Sequence, residues 1–306
     1  MLRRFRSASA LLAALLVLSL TGCWGSRDPS EAPVRVTSPA GDLFANGACI
    51  SLRPTRGDRH LTVFVDPGHG GPDPGTSGTT RDGRTVFEKG ATLAVGLDLA
   101  SMLRADGFRV VLSRTRDTAV ARLGPSDVVG GALTLDAAHR DVVARVECAN
   151  ASGAELLLSI HFNAFDDPSV GGTETFYDEA RPFAADNQRF AELVQREVVA
   201  AMARGGWNTP DRGIAPDTSI EAPQLSARAA AYPHLLELGP AQAGWLDTPS
   251  KMPGVLCEPL FLSDPFEADI AASRAGQQAL AGAFARAIDN YFAGRGRATP
   301  TSTPTG

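Results

Sequence analysis

Val63-Phe64-Val65-Asp66-Pro67-Gly68-His69-Gly70-Gly71-Pro72-Asp73-Pro74-Gly75 runs from an apolar segment straight into a loop of glycine, proline and aspartate, with one histidine at its centre. An apolar start followed by a turn cluster reads as a buried strand that ends at a functional loop. His69 then stands at the carboxyl end of that strand, where open α/β sheets place their ligands. Gly68, Gly70 and Gly71 leave the neighbouring backbone without Cβ atoms, which permits positive φ and close approach by a bulky group. Taken alone, the stretch reads equally well as a turn that happens to hold a histidine.

The segments that follow shift the balance. From Glu88, Leu93, Leu97, Ala100 and Leu103 share one helical face, and Gly107 ends the helix, so Glu88 lies in its first turn, where the helix dipole favours a carboxylate. Phe108 to Leu112 reads as a second strand, leading into Ser113-Arg114-Thr115-Arg116-Asp117. Arg114 and Arg116 are expected at the surface, pairing with Asp117, with contact to substrate carboxylates as the alternative. Leu135 to Asn150 is helical in pattern and carries His139, Arg145 and Cys148. Leu156 to Ile160 is a second buried-strand pattern that runs out at a histidine, His161, followed by Phe162-Asn163-Ala164.

Gly172 to Tyr177 alternates as a strand, and Phe183 to Met202 follows as a helix. Residues 203 to 233 read as a long surface excursion, and Leu235 to Leu238 as a short strand. Val255 to Leu262 is the last core strand and carries Glu258 among Leu256, Leu260 and Phe261; Pro259 suggests an edge or bulged position. Asp264-Pro265-Phe266-Glu267 has the form of a capped helix start. His139 reads as a solvated helix residue with no ligand role, and His60 and His234 are read the same way.

Arg3, Arg4 and Arg6 precede an apolar run from Ala8 to Leu20, which ends in Leu20-Thr21-Gly22-Cys23. A positive start followed by a short apolar stretch is the pattern of a secretory signal. The last four residues resemble the bacterial lipobox, which implies cleavage before Cys23 and a lipid on that cysteine. The net charge of −5 becomes −8 once the three arginines are removed, and nothing suggests a nucleic-acid surface. In an oxidising compartment Cys49, Cys148 and Cys257 remain, and Cys49 with Cys148 is the preferred pair because Cys257 lies in a core strand pattern.

Two histidines and a carboxylate near one sheet edge match what a catalytic zinc requires: three nitrogen or oxygen ligands and an open position for water. Glu258, an acid set in an apolar strand, is costly to bury unpaired and is the candidate base with a raised pKa.

These motifs occur in a recognisable order: His69 in Asp-Pro-Gly-His-Gly-Gly, Glu88 in Phe-Glu-Lys-Gly, Arg114-Thr115-Arg116-Asp117, Arg145-Val146-Glu147-Cys148-Ala149-Asn150, Ser159-Ile160-His161-Phe162-Asn163-Ala164, and Glu258-Pro259-Leu260-Phe261-Leu262-Ser263. Over about residues 60 to 293 the chain resembles the zinc-dependent N-acetylmuramoyl-L-alanine amidases of the type called amidase 3, bacterial cell-wall hydrolases. The resemblance implies one Zn2+ per chain held by His69, Glu88 and His161, with Glu258 as the catalytic glutamate. It further implies hydrolysis of the amide between N-acetylmuramic acid and L-alanine in peptidoglycan. An inactive peptidoglycan-binding lipoprotein and a zinc peptidase cutting within the stem peptide are the rival readings.

The expected organisation is a signal peptide at 1–22, a lipidated cysteine and flexible tether at 23–58, a catalytic domain at 59–293 and a disordered tail at 294–306. The expected fold is a single α/β domain, a mixed, mostly parallel sheet flanked by helices with the zinc site at the strand carboxyl ends. The expected protein is an exported monomer. It is anchored through Cys23 to the outer face of the cell membrane or in the periplasm, with room for a protein activator.

Overall fold

Four parallel strands carry the functional loops, and their apolar runs explain why they lie at the centre of the sheet. The computed structural model describes residues 32–39, 41–220 and 231–295. The expected signal peptide, Cys23 and residues 296–306 of the expected tail lie outside the described residues. The strands are β1 (Val34–Arg35), β2 (Ala48–Leu52), β3 (Thr62–Pro67), β4 (Ser77–Thr79), β5 (Thr85–Phe87), β6 (Arg109–Arg114), β7 (Val128–Val129), β8 (Ala132–Leu133), β9 (Leu156–Ile160), β10 (Thr173–Tyr177), β11 (Asp211–Pro216) and β12 (Gly254–Glu258). The helices are α1 (Glu88–Ala105), α2 (Leu135–Ser152), α3 (Ala184–Arg204), α4 (Pro265–Ala272) and α5 (Arg274–Arg295).

Eight strands form one sheet in the order β1-β2-β6-β3-β9-β12-β10-β11. The central strands β6, β3, β9 and β12 are mutually parallel. On one flank β2 runs antiparallel to β6; on the other, β10 runs antiparallel to β12 and parallel to β11. Parallel strands are covered on both faces and so read as continuous apolar runs. On one face Val63, Val65, Leu156 and Leu158 pack with Val95, Leu99, Val198 and Phe284 of α1, α3 and α5. On the other, Phe64, Val111, Leu157 and Leu256 pack with Ala144 and Cys148 of α2 and with Leu238 and Met252 of the chain returning to β12.

The structure corrects four expectations. The stretch from Pro33 to Asp58 is not a tether: Ala48 and Cys49 are fully buried and β2 pairs along β6, because a five-residue strand needs only its short apolar run to find an open sheet edge. Asp211–Pro216, inside the expected surface excursion, is the strand β11 and satisfies its backbone on β10 despite weak alternation. Leu235 to Leu238 is a turn, closed by the amide of Leu238 donating to the carbonyl of Leu235 at 3.0 Å. Glu258 ends an interior strand, and Pro259 lies just beyond it, where the ladder needs no donor. The helix start at Asp264 is as read: its side chain accepts from the Phe266 amide and Pro265 opens α4. Among the described residues no helix is long and apolar enough to cross a membrane.

Cys49 of β2 and Cys148 of α2 form a disulfide with their Cα atoms 5.6 Å apart, and Cys257 is free and buried. The bond closes a loop with a sequence separation of 99. Cross-linking so long a loop removes denatured-state entropy, so the Cys49→Ala/Cys148→Ala variant is expected to lose about 2–5 kcal/mol of unfolding free energy in urea titration. A loss under about 0.5 kcal/mol would show that the bond is not a stability element.

Candidate metal centre

Backbone register brings the two histidine loops together. Pro67 at the end of β3 lies opposite Ile160 at the end of β9, which in turn lies opposite Cys257 of β12. The amide of His161 donates to the carbonyl of Cys257 at 3.0 Å, and that of Gly68 to the carbonyl of Ile160 at 2.9 Å. His69, His161 and Glu258 therefore emerge side by side from three neighbouring strand ends. Glu88 reaches the same place as the first residue of α1, delivered by the β4–β5 hairpin, with its amide donating to the Thr76 carbonyl at 2.9 Å.

His69, Glu88 and His161 each direct one donor atom into a common space, all within 4.8 Å of one another. Glu88 Oε2 stands 3.1 Å from His69 Nε2, and Glu88 Oε1 stands 3.0 Å from His161 Nδ1. Tetrahedral zinc with bonds of about 2.0–2.2 Å separates its ligands by about 3.3–3.5 Å, so these donors need only small adjustments to hold such an ion. The Glu88 carboxylate also accepts from the amides of Thr76 and Phe162, at 2.8 and 2.9 Å. His69 Nδ1 pairs with Asp73 Oδ2 at 2.8 Å, which fixes the ring and turns Nε2 inward. Burial works against the charged His69, yet the hydrogen bonds to Asp73 and Glu88 raise its pKa to about 10. Burial likewise opposes an ionised Glu88, but His161 and His69 hold its carboxyl well below the usual range.

The glycines of the loop make room for these rings. A Cβ on Gly68 would lie 2.4 Å from the His161 imidazole, and one on Gly75 would lie 2.5 Å from Glu88 Oε2 and 2.6 Å from the His69 ring. His69 itself has φ of +61°, a left-handed conformation that costs a non-glycine residue about 1–3 kcal/mol unless its surroundings enforce it.

Two buried arginines do the enforcing. Arg145 donates to Asp66 Oδ1 at 2.7 Å, to the carbonyls of Pro67 and His69 at 3.0 and 2.8 Å, and to Asp141 Oδ2 at 2.9 Å. Arg114 donates to the carbonyls of Pro67, Gly68 and Lys89 at 2.9, 2.9 and 2.7 Å. The surface placement expected for Arg114 is therefore wrong: its side chain is fully buried, because loop carbonyls at the end of β3 satisfy its fork. Arg116 is exposed and bonds Asn46, while Asp117 pairs with Lys89 at 2.8 Å.

Glu258 is nearly buried and its Oε2 has no hydrogen-bond partner. Burial first, then the charges of Glu88 and Glu174, push its pKa up to about 8. A cavity of about 480 Å³ opens beside His69 and His161 and is walled by α2 and by the segment around Trp245. Glu237 enters from that segment: its carboxyl lies with Asp66 and His161, raised far above its usual pKa by burial and by Asp66.

Sequence reading missed Asp73, although its position four residues after His69 was a signal. It missed Glu237 and His234 as well, because they arrive on a segment without periodicity. His234 is not solvated: it sits between Asp178 and Asp217. His139 stacks on Trp245 with ring centroids 3.9 Å apart.

Residues 63–290 match the family model described as N-acetylmuramoyl-L-alanine amidase. The germination-specific N-acetylmuramoyl-L-alanine amidase of Bacillus subtilis is 30% identical over 234 residues, 76% of this chain and 81% of the relative. LytC of the same organism, also an N-acetylmuramoyl-L-alanine amidase, is 30% identical over 207 residues, and there the match covers 68% of this chain but only 30% of the longer relative. In fold, the chain is similar to the CwlD amidase of Clostridioides difficile, solved in complex with the GerS lipoprotein, with a TM-score of 0.58 and 24% identity over 76% of this chain and 98% of that one. The matched span takes in both histidine loops, the first turn of α1 and the end of β12, and on that extent the chain belongs to the N-acetylmuramoyl-L-alanine amidase family.

Proposed function

We propose that this protein is a zinc-dependent hydrolase that cleaves the amide between the lactyl group of N-acetylmuramic acid and the L-alanine of the stem peptide, and that it acts outside the cytoplasm from a lipid anchor on Cys23. The observation that carries the reading is the convergence of His69, Glu88 and His161 beside the unpartnered carboxyl oxygen of Glu258. Family membership supplies the substrate class. The disulfide between Cys49 and Cys148 supports export, since such bonds persist in oxidising compartments. The anchor rests on the leader and the Leu20-Thr21-Gly22-Cys23 sequence alone.

In this reading His69, Glu88 and His161 hold the zinc. The bound ion supplies Lewis acidity toward the scissile carbonyl and toward water. Glu258 takes the proton of the attacking water at Oε2 and returns it to the nitrogen of the departing L-alanine, so that one water is consumed and the new ends are a lactyl carboxylate and a free amine. Burial raises the Glu258 carboxyl above its ordinary value, the direction that suits a group which must both accept and return a proton. Asp73 keeps the His69 ring oriented, and Arg145 and Arg114 keep the loop from relaxing. The cavity beside the donors gives the substrate access to them.

Digestion of purified peptidoglycan by the full-length chain, read by mass spectrometry, tests the proposal. Intact stem peptides with a free L-alanine amine are expected; chelation should abolish them and added zinc restore them. Glu258→Gln should lower the rate by about 10²-fold or more, the range of a lost general base. Stem peptides cut internally, or activity indifferent to chelator, would refute it.

Glu258 also sets a pH dependence of stability. Its folded pKa lies above its ordinary value of 4.5, at about 8, so the folded state keeps a proton that the unfolded chain releases. The stability that Glu258 contributes is therefore fully present below pH 4.5 and is lost as pH rises through about 8. In chelator, Glu258→Gln is expected to unfold at a Tm about 2 °C or more above wild type at pH 8, with the gap closing at pH 4.5. A gap that does not change with pH would show that Glu258 ionises freely in the fold.

A further inference from the structure

A second group of donors stands at the opposite edge of the sheet. Tyr177, the last residue of β10, pairs with Pro216, the last of β11, so the next residue of each strand, Asp178 and Asp217, lie side by side. Because β10 runs antiparallel to β12, this edge is not the one where β3, β9 and β12 end. His234 comes down on the pair from the chain that returns toward β12. Its Nδ1 lies 2.7 Å from Asp178 Oδ2 and 3.3 Å from Asp217 Oδ1.

Hydrogen bonding leaves these oxygens one donor short. Asp178 Oδ1 accepts from the Ala180 amide at 2.7 Å, and Asp217 Oδ2 accepts from the Leu235 amide at 2.9 Å. His234 Nδ1 makes its hydrogen bond to Asp217 Oδ1. Asp178 Oδ2, on a side chain with 0% exposure, has only that same nitrogen, 2.7 Å away, so one Nδ1–H is shared between two buried carboxylates. The nearby cation, Arg181, is spent on the carbonyls of Leu238, Gly239 and Ser250. Two buried carboxylates and an imidazole thus converge within 4.8 Å; the 3.3 Å pair matches the ligand separation about a tetrahedral ion with bonds of about 2.1 Å, and the 2.7 Å pair would open to admit one. Asp217 and His234 also line the cavity, which gives water a route to an open position.

We propose that Asp178, Asp217 and His234 form a second binding site for a divalent transition-metal ion, which ties the ends of β10 and β11 to the returning segment. One nitrogen and two oxygen donors suit zinc or manganese better than magnesium or calcium, which take oxygen alone. The ion's place is structural, bracing the wall of the cavity whose other end holds His69 and His161. The site is independent of the proposed activity.

Metal content after dialysis of the full-length chain against Zn2+, measured by inductively coupled plasma mass spectrometry, tests it. Two equivalents are expected in the wild type, one in His234→Gln, one in Asp178→Asn and one in Glu88→Gln. Far-UV circular dichroism confirms that each variant is folded, and Asp217→Asn replaces any that is not. Two equivalents retained in the folded His234 and Asp178 variants would overturn the proposal, as would one equivalent in the wild type that only Glu88→Gln removes. One equivalent that Glu88→Gln leaves and His234→Gln removes would uphold this site and refute the His69, Glu88 and His161 centre instead.

Discussion

The grip of Arg145 on the loop after β3 is the constraint on which the site depends. A guanidinium has no acceptor and offers five donors in a plane. Here those donors meet the Asp66 carboxylate, the Asp141 carboxylate and two consecutive-turn carbonyls, Pro67 and His69. Arg114 approaches from the next strand and takes Pro67 and Gly68 as well. Loop carbonyls that would otherwise face solvent are thereby drawn inward, and His69 is held left-handed with its ring turned toward Glu88. Burying a guanidinium is expensive unless every donor is met, so the loop and the arginines require one another.

Charge balance explains how so many acids share this edge. Asp66 is kept ionised by Arg145 despite its burial, and Glu88 by the two histidines. Glu237 goes the other way: burial and the neighbouring Asp66 push its carboxyl well above the usual range, which favours the form that can donate where a second carboxylate would repel. Glu258 has no donor at Oε2, and burial with the charges of Glu88 and Glu174 outweighs the opposing charges of His69 and Arg212. Environments of four kinds within one small region give the acids different protonation states at one pH, which is the condition for dividing structural and chemical roles among them.

Much of this was legible from residue order. The central strands announced themselves as apolar runs and the two histidines by standing where such runs stop; α1 was legible as a helix, but its core face runs through Val95, Leu99 and Leu103, and Leu97, read onto that face, is 41% exposed. Glu258 was conspicuous as an acid among apolar neighbours. What failed had no local signal. β2 and β11 are short and weakly patterned, and only a vacant sheet edge makes them strands. Arg114 looked like a surface residue because its partners are main-chain carbonyls from another segment, which no side-chain pattern records. Asp178, Asp217 and His234 meet only through sheet register and a returning turn, so each looked unremarkable in its own stretch.

The disulfide has a topological consequence. His69, Glu88, Arg114 and Arg145 all fall between Cys49 and Cys148, whereas His161 and Glu258 do not. Unfolding the oxidised chain therefore leaves two of the three donors, with both arginines that shape them, confined to one closed ring. Their mutual encounter stays intramolecular over a bounded contour, and their effective concentration stays high. Gathering the three donors then reduces to the capture of one outside segment, the one ending in His161, while Glu258 arrives on a second, the strand β12.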